Sequence, residues 1–244
     1  NVEIVDNKFY SAFNFYYGSS NQNGELSNAL IAGNNTTSGS VIRSSQYRGN
    51  FILNHNTIVD NYDVYGGGIR SIYHAVDQNY SGTAVRIVGN ILQSGDNEAI
   101  KINDYSTFAV TAVNNLTDGS NLISTNSLTP AEQNTRKGVL DFDINYTPTA
   151  YNQALGGSKL SVTAGGSVVA APAIDLKGNN RPWNVGEEPD MGAIESPLDT
   201  FDIGIKTIAI DNGFCETNDG QIEVTTLNYS AAKSYYWSSL YDAT

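Results

Sequence analysis

Cysteine is almost missing from this 244-residue chain: Cys215 is the only one, so no disulfide can form within it. The redox compartment therefore stays open, and a buried small hydrophobe is the simplest role for Cys215. Histidine is nearly as scarce. His55 and His74 are the only two, and with a single cysteine they provide no zinc-ligand cluster of the usual spacing. Cations are few as well: 13 Lys and Arg against 25 Asp and Glu give a net charge of −12. Nucleic acid is excluded as a partner, because phosphate binding relies on clustered Lys and Arg. No apolar run approaches the roughly 18 residues of a membrane helix, and no charged-then-apolar leader opens the chain. No G-x-S-x-G elbow is present for a serine hydrolase. Neutral glycans, cations and basic surfaces remain as partners.

What the chain has in quantity is Asn, Ser, Thr, Gly and Tyr, with 40% apolar and only 16% charged residues, a balance of turn-rich β structure around a real core. Short β-branched runs recur, each followed by asparagine: Val2-Glu3-Ile4-Val5, Ala29-Leu30-Ile31-Ala32, Asn56-Thr57-Ile58-Val59, Val85-Arg86-Ile87-Val88 and Val110-Thr111-Ala112-Val113. The marker asparagines Asn7, Asn34, Asn56, Asn90 and Asn115 stand 27, 22, 34 and 25 residues apart. A period of about 20–50 residues marks stacked repeats that bury a shared core, and the irregularity predicts loops inserted at some turns. Continuous or alternating Val, Ile and Leu suits parallel strands. Asparagine suits the turns, since it tolerates left-handed backbone angles and its amide can bond the next repeat in a ladder. Gly66-Gly67-Gly68 is not followed by Lys-Ser/Thr and reads as a tight corner rather than a phosphate loop.

The repeats, and N-H-N-T-I-V-D-N with G-G-G-I at residues 54–61 and 66–69 above all, resemble those of right-handed parallel β-helix proteins on bacterial surfaces and among carbohydrate-active proteins, over roughly residues 1–125. The expected fold is all-β, a right-handed parallel β-helix over residues 1–195. Residues 126–172, including Leu140-Asp141-Phe142-Asp143-Ile144, read as its final irregular coils. The stretch Ala173-Ile174-Asp175-Leu176-Lys177-Gly178-Asn179-Asn180-Arg181-Pro182, closing with Asp190-Met191-Gly192-Ala193-Ile194-Glu195, resembles the D-x-x-G-N-x-R-P … D-x-G-A-x-E ending of choice-of-anchor Q domains. Asp175, Arg181, Trp183, Asp190 and Glu195 read as a structural cap over 173–195. An Arg fork paired with a carboxylate, and Trp183 laid over the last coil, would close an end that otherwise exposes backbone groups.

Residues 196–200 read as a linker, and alternating runs from Phe201 open a second domain. Cys215-Glu216-Thr217-Asn218-Asp219-Gly220-Gln221-Ile222-Glu223-Val224 … Tyr235-Tyr236-Trp237-Ser238 resembles immunoglobulin-like repeats of large Bacteroidetes surface adhesins, including gliding adhesins. Residues 201–244 are then a partial β-sandwich repeat, and the expectation is a fragment whose natural protein continues at both ends. The tandem resembles cargo of the type IX secretion system. That implies a secreted or cell-surface location, with outer-membrane export machinery as a partner by analogy.

Two functions compete. A polysaccharide lyase on this scaffold needs a base and a cation or Arg aimed from one face, and Arg70, His74 and Lys101 are the candidates, with Asp77, Arg86, Asp96, Glu98 and Asp104 nearby in sequence. A glycoside hydrolase needs two carboxylates roughly 5–10 Å apart, and the pairs Asp96/Glu98 and Asp141/Asp143 have alternate spacing. Such pairs serve equally as weak calcium sites, so calcium is the one cofactor to consider; no metal ligands are assigned. An adhesin or stalk needs only a long face, and Tyr47, Tyr62, Tyr65, Tyr73 and Tyr80 could line a strip that stacks on sugars. The preferred expectation is a secreted or surface adhesin or structural stalk contacting glycans or polysaccharide. The alternative is a carbohydrate-active enzyme acting on an acidic polysaccharide.

Overall fold

The computed structural model describes residues 1–16, 24–37, 40–47, 50–63, 72–76, 84–94, 98–103, 109–119, 121–125, 129–198, 205–209 and 222–226. These are all strand, turn and irregular structure, with no helix. Two compact units divide the chain, Asn1–Asp202 and Ile203–Thr244.

In the first unit, each repeat adds one strand to each of three large parallel sheets. A six-stranded sheet takes Val2–Val5, Ala29–Ala32, Thr57–Val59, Ile91–Leu92, Leu116–Thr117 and Arg136–Lys137 in that order. One five-stranded sheet takes Phe13–Tyr16, Ile42–Tyr47, Ile72–Val76, Glu98–Asn103 and Asn121–Thr125; the other takes Gly24–Ser27, Phe51–Asn54, Ala84–Val88, Ala109–Val113 and Ala131–Gln133. A small sheet pairs Lys8–Phe9, Asn35–Thr36 and Tyr62–Asp63. Because side chains alternate along a strand, one row from each sheet meets in a shared core: Ile31, Ile58 and Leu92; Ile42, Ile100 and Ile102; Leu53, Ile87 and Ala112.

The corners between sheets explain the asparagines. Asn28, His55, Gly89, Asn114 and Asn134 occupy successive positions of one corner, all with φ between 52° and 65°. Left-handed backbone there is cheapest for Gly and Asn, which fill four of the five places. The next position forms a buried ladder: the Asn56 amide donates to Leu26 O and to Asn90 Oδ1, and Asn90 donates in turn to Asn115 Oδ1, at 2.9–3.0 Å. A second ladder at another corner joins Asn34 to Asn61 at 2.9 Å, with Asn7 N–H donating to Asn34 Oδ1 at 2.8 Å. The 22-residue interval expected between Asn34 and Asn56 therefore spans two different corners. Asn34 stacks on Asn61, 27 residues away, and the true spacings are 27 at that corner, then 34 and 25 along the other.

The six-stranded sheet is apolar on both faces, and what covers its outer face corrects two expectations. Leu30, Ala32, Val59, Ile91 and Leu116 point away from the shared core and pack against Ala154, Met191, Ala193 and Ile194. Residues 139–198 are thus not final coils of the stack but a layer laid along its side. Within that layer an antiparallel hairpin, Ser161–Ala164 with Ser167–Ala170, covers Val88 and Val113 of the neighbouring sheet. Burying such a Leu, Ile or Val face is worth about 1.5–3 kcal/mol per side chain, which is why the chain folds back after Lys137.

In the second unit the described residues form one antiparallel pair, Ile205–Ala209 with Ile222–Thr226. Cys215 and the Tyr235–Trp237 stretch lie outside the described residues.

Candidate functional site

The signature residues Asp175, Arg181, Asp190 and Glu195 are all buried, at 4% exposure or less. They sit where the covering layer meets the first corner, so the expected end cap is a lateral clamp. The Asn28 amide donates to Ile174 O at 2.5 Å, while Arg181 Nη2 reaches Asn28 Oδ1 at 3.4 Å. Thr57 Oγ1 accepts the Ala193 N–H at 2.9 Å, and Gly89 O accepts the Gly192 N–H at 2.6 Å. One segment thereby touches three successive repeats. The terminal strands Ala131–Gln133 and Arg136–Lys137 remain exposed, and Trp183 keeps 39% of its surface in solvent instead of lying over a final coil. The physical reason is the apolar outer face described above, which offers far more to bury than the end of the stack.

Inside the clamp the carboxylates serve the backbone. Asp175 accepts N–H groups from Asn179 and Glu195 at 2.7 and 2.9 Å; Asp190 accepts those of Gly156 and Ser196 at 2.7 and 2.8 Å. Glu195 Oε1 accepts the Asp190 N–H, and Oε2 lies 3.3 Å from Arg181 Nη1, which also donates to Asp190 O at 3.0 Å. Burial raises the Glu195 carboxyl to about 7 against the opposing pull of Arg181, and burial lowers Arg181 despite three carboxylates around it. His55 lies beside this cluster. Its ring contacts Asn54 Oδ1 and Ser158 Oγ, both at 2.8 Å, and burial, then Arg181, keep it neutral. A Ser–His contact suggests a nucleophile, but Ser158 and His55 are 1% and 0% exposed and meet no substrate.

Of the three enzyme candidates, His74 and Lys101 lie on described strands. Lys101 pairs in register with Tyr73, and His74 pairs with Ile102, a fully buried core position. His74 and Lys101 therefore stand one register position apart on neighbouring strands. Arg70 lies outside the described residues, as do Asp77, Asp96 and Asp104. Arg86 is held under the hairpin, donating from Nε to Ala164 O at 2.8 Å. Asp141 and Asp143 hold a turn: Asp143 Oδ1 accepts the N–H groups of Asn145 and Thr147 at 2.8 and 2.9 Å, and Thr149 Oγ1 donates to Asp141. Among the described residues no group of three or more His, Cys, Asp or Glu is arranged to hold a metal, and no helix is long and apolar enough to cross a membrane.

Two of the tyrosines stand in different sheets. Tyr62, 58% exposed, belongs to the small sheet beside Asn35, whereas Tyr73 stands in register with Arg43 and Lys101 in a five-stranded sheet. Tyr47 pairs with Val76 past an irregularity in the ladder, and Tyr65 and Tyr80 lie outside the described residues.

No family model matches the chain, and neither a curated protein nor a solved structure is similar to it.

One feature escaped sequence reasoning. A cavity of about 280 Å³ opens where the 141–149 turn crosses the corner after Val59, between Asp60 and Gln93 on the stack and Phe142, Asp143 and Tyr146 on the turn. Phe142 and Tyr146 are tilted ring neighbours with centroids 6.4 Å apart. Asp60 and Tyr146 both take left-handed backbone, φ 54° and 59°, which is uncommon for a bulky residue. Burial, then the Asp118 charge, raise the Asp60 carboxyl; burial, then Asp60, Asp6 and Tyr62, raise the Tyr146 hydroxyl. The signal was present as Leu140-Asp141-Phe142-Asp143-Ile144, but only its meeting with Asp60 and Gln93 around one cavity brings it out.

Proposed function

We propose that the first unit is a right-handed parallel β-helix, and that the protein is a secreted or cell-surface adhesin or structural stalk that contacts glycans. The observation that carries this reading is the in-register stack of parallel strands joined by buried asparagine ladders and clamped along its side. Parallel strands joined by crossovers are right-handed in about 98% of cases, which supports the hand. A stack tied by ladder and clamp resists bending and unwinding, as a stalk must. Display at the surface through outer-membrane export machinery rests on the resemblances alone.

A carbohydrate-active enzyme is the second reading; of its candidates, His74 and Lys101 sit one register position apart on neighbouring strands and Arg70 lies outside the described residues. Incubation with acidic and neutral polysaccharides, with and without calcium, separates the two. Retention of the protein on intact polymer is the expected result. Oligosaccharide fragments detected by mass spectrometry would transfer the protein to the enzymes.

A further inference from the structure

We propose that the cavity between Asp60 and the 141–149 turn binds a single pyranose ring that carries no acidic group, as one unit of a neutral or amino-sugar polysaccharide. This deepens the glycan-binding reading above and rests on it. At about 280 Å³ the cavity lies just below the roughly 300–1,000 Å³ usual for small-molecule sites, enough for one ring and too small for a folded chain.

Its lining has the two components that a sugar requires. Phe142 and Tyr146 supply aromatic surface for the ring's C–H face, and Ile144, 93% exposed, extends that apolar surface at the rim. Asp60, Gln93 and Asp143 supply polar groups around it. Asp143 uses one oxygen on the turn, which leaves the other for a hydroxyl or amine.

Charge selects the class of sugar. Asp60 faces the site from the stack and Asp143 faces it from the turn. A uronate or sulfated sugar would meet like charge at close range, while a hydroxyl donates to these carboxylates and an ammonium pairs with them. The chain's net charge of −12 acts in the same direction at longer range. The ligand inferred here is thus of opposite character to the acidic polysaccharide expected for the enzyme.

Calorimetric titration of the whole chain with cellohexaose, mannohexaose, a glucosamine hexamer and hexagalacturonate tests the assignment, using wild type, Asp143→Asn and Ile144→Ser. Asparagine still accepts the two turn N–H groups, and Ile144 has no packing to lose, so thermal midpoints of both variants should match wild type. The expected result is binding of a neutral or amino oligosaccharide, weakened roughly tenfold or more by Asp143→Asn and weakened also by Ile144→Ser, with hexagalacturonate inert. Binding that survives both substitutions unchanged overturns the cavity while leaving the glycan reading intact. Preference for hexagalacturonate overturns the charge argument. Absence of binding to all four, together with no retention on any polysaccharide, overturns the glycan reading itself.

Discussion

Replacing Arg181 by methionine tests whether a buried charge pair holds the covering layer to the stack. Methionine keeps much of the stem volume, so the change removes the guanidinium: its bond to Asp190 O, its contact with Asn28 Oδ1 and its pairing with Glu195 Oε2. Removing one partner of a buried pair costs about 3–5 kcal/mol when the other stays charged. Glu195 has an alternative, which is to keep its proton. Its carboxyl already sits near 7 in the native protein against 4.5 ordinarily, and Arg181 is the main group pulling it down. Between those two values the native state binds a proton that the unfolded chain has released. Wild-type stability therefore falls as pH rises from 4.5 to about 7, by up to about 3 kcal/mol from this group. In the variant the carboxyl moves higher still, and the fall continues beyond pH 7. The expected loss is then about 1–2 kcal/mol at pH 5, where a neutral acid faces the gap and only hydrogen bonds are missing, and about 3–5 kcal/mol at pH 8. Urea unfolding followed by the β-sheet circular dichroism signal at the two pH values measures both. Equal losses at the two pH values, or a loss under about 1 kcal/mol at pH 8, would refute the reasoning.

Two further substitutions probe the ladder and the clamp. Asn56→Leu leaves Leu26 O and the Ala29 N–H without their side-chain partner in a buried corner, while Asn90 Oδ1 keeps only the backbone N–H of residue 56. At about 1–3 kcal/mol for each abandoned group the loss should reach several kcal/mol, whereas Asn7→Leu at the exposed first rung should cost under about 1–2 kcal/mol; similar losses in chemical denaturation would count against the ladder. Gly192→Ala and Gly186→Ala both enter left-handed backbone, φ 93° and 96°, but an added Cβ at 192 sits 2.5 Å from Thr57 Oγ1 and 2.7 Å from Ile91 Cδ1, while at 186 it meets open space. Gly186→Ala should cost about 1 kcal/mol and Gly192→Ala at least twice that in thermal unfolding; equal costs would mean that the clamp is not tightly seated.

How far the sequence speaks depends on the distance over which each residue acts. Strand runs and corner asparagines are local facts: a polar residue that tolerates positive φ, placed after a β-branched run, marks a corner wherever the run lies. All-β parallel sheets followed from that, and so did the ladder. The assignment of Asn34 and Asn56 to one corner failed because two corners use the same residue, and only pairing tells them apart. The covering layer was hidden for a deeper reason, since Thr57 meets Ala193 across 136 residues and Asn28 meets Arg181 across 153. A trace of it was nevertheless visible. Ala29-Leu30-Ile31-Ala32 is apolar at every position and buried at every position, whereas a strand with one wet face alternates. A continuous run of this kind demands a second apolar surface, and the segment with Met191, Ala193 and Ile194 supplies it. Register also separates two of the enzyme candidates: pairing Tyr73 with Lys101 sets His74 beside Ile102 and not beside Lys101. A slip of one residue turns every side chain of a strand to the other face, so the face on which a residue stands is decided by its partner on the neighbouring strand, and a functional residue must be sought by row before it is sought by type.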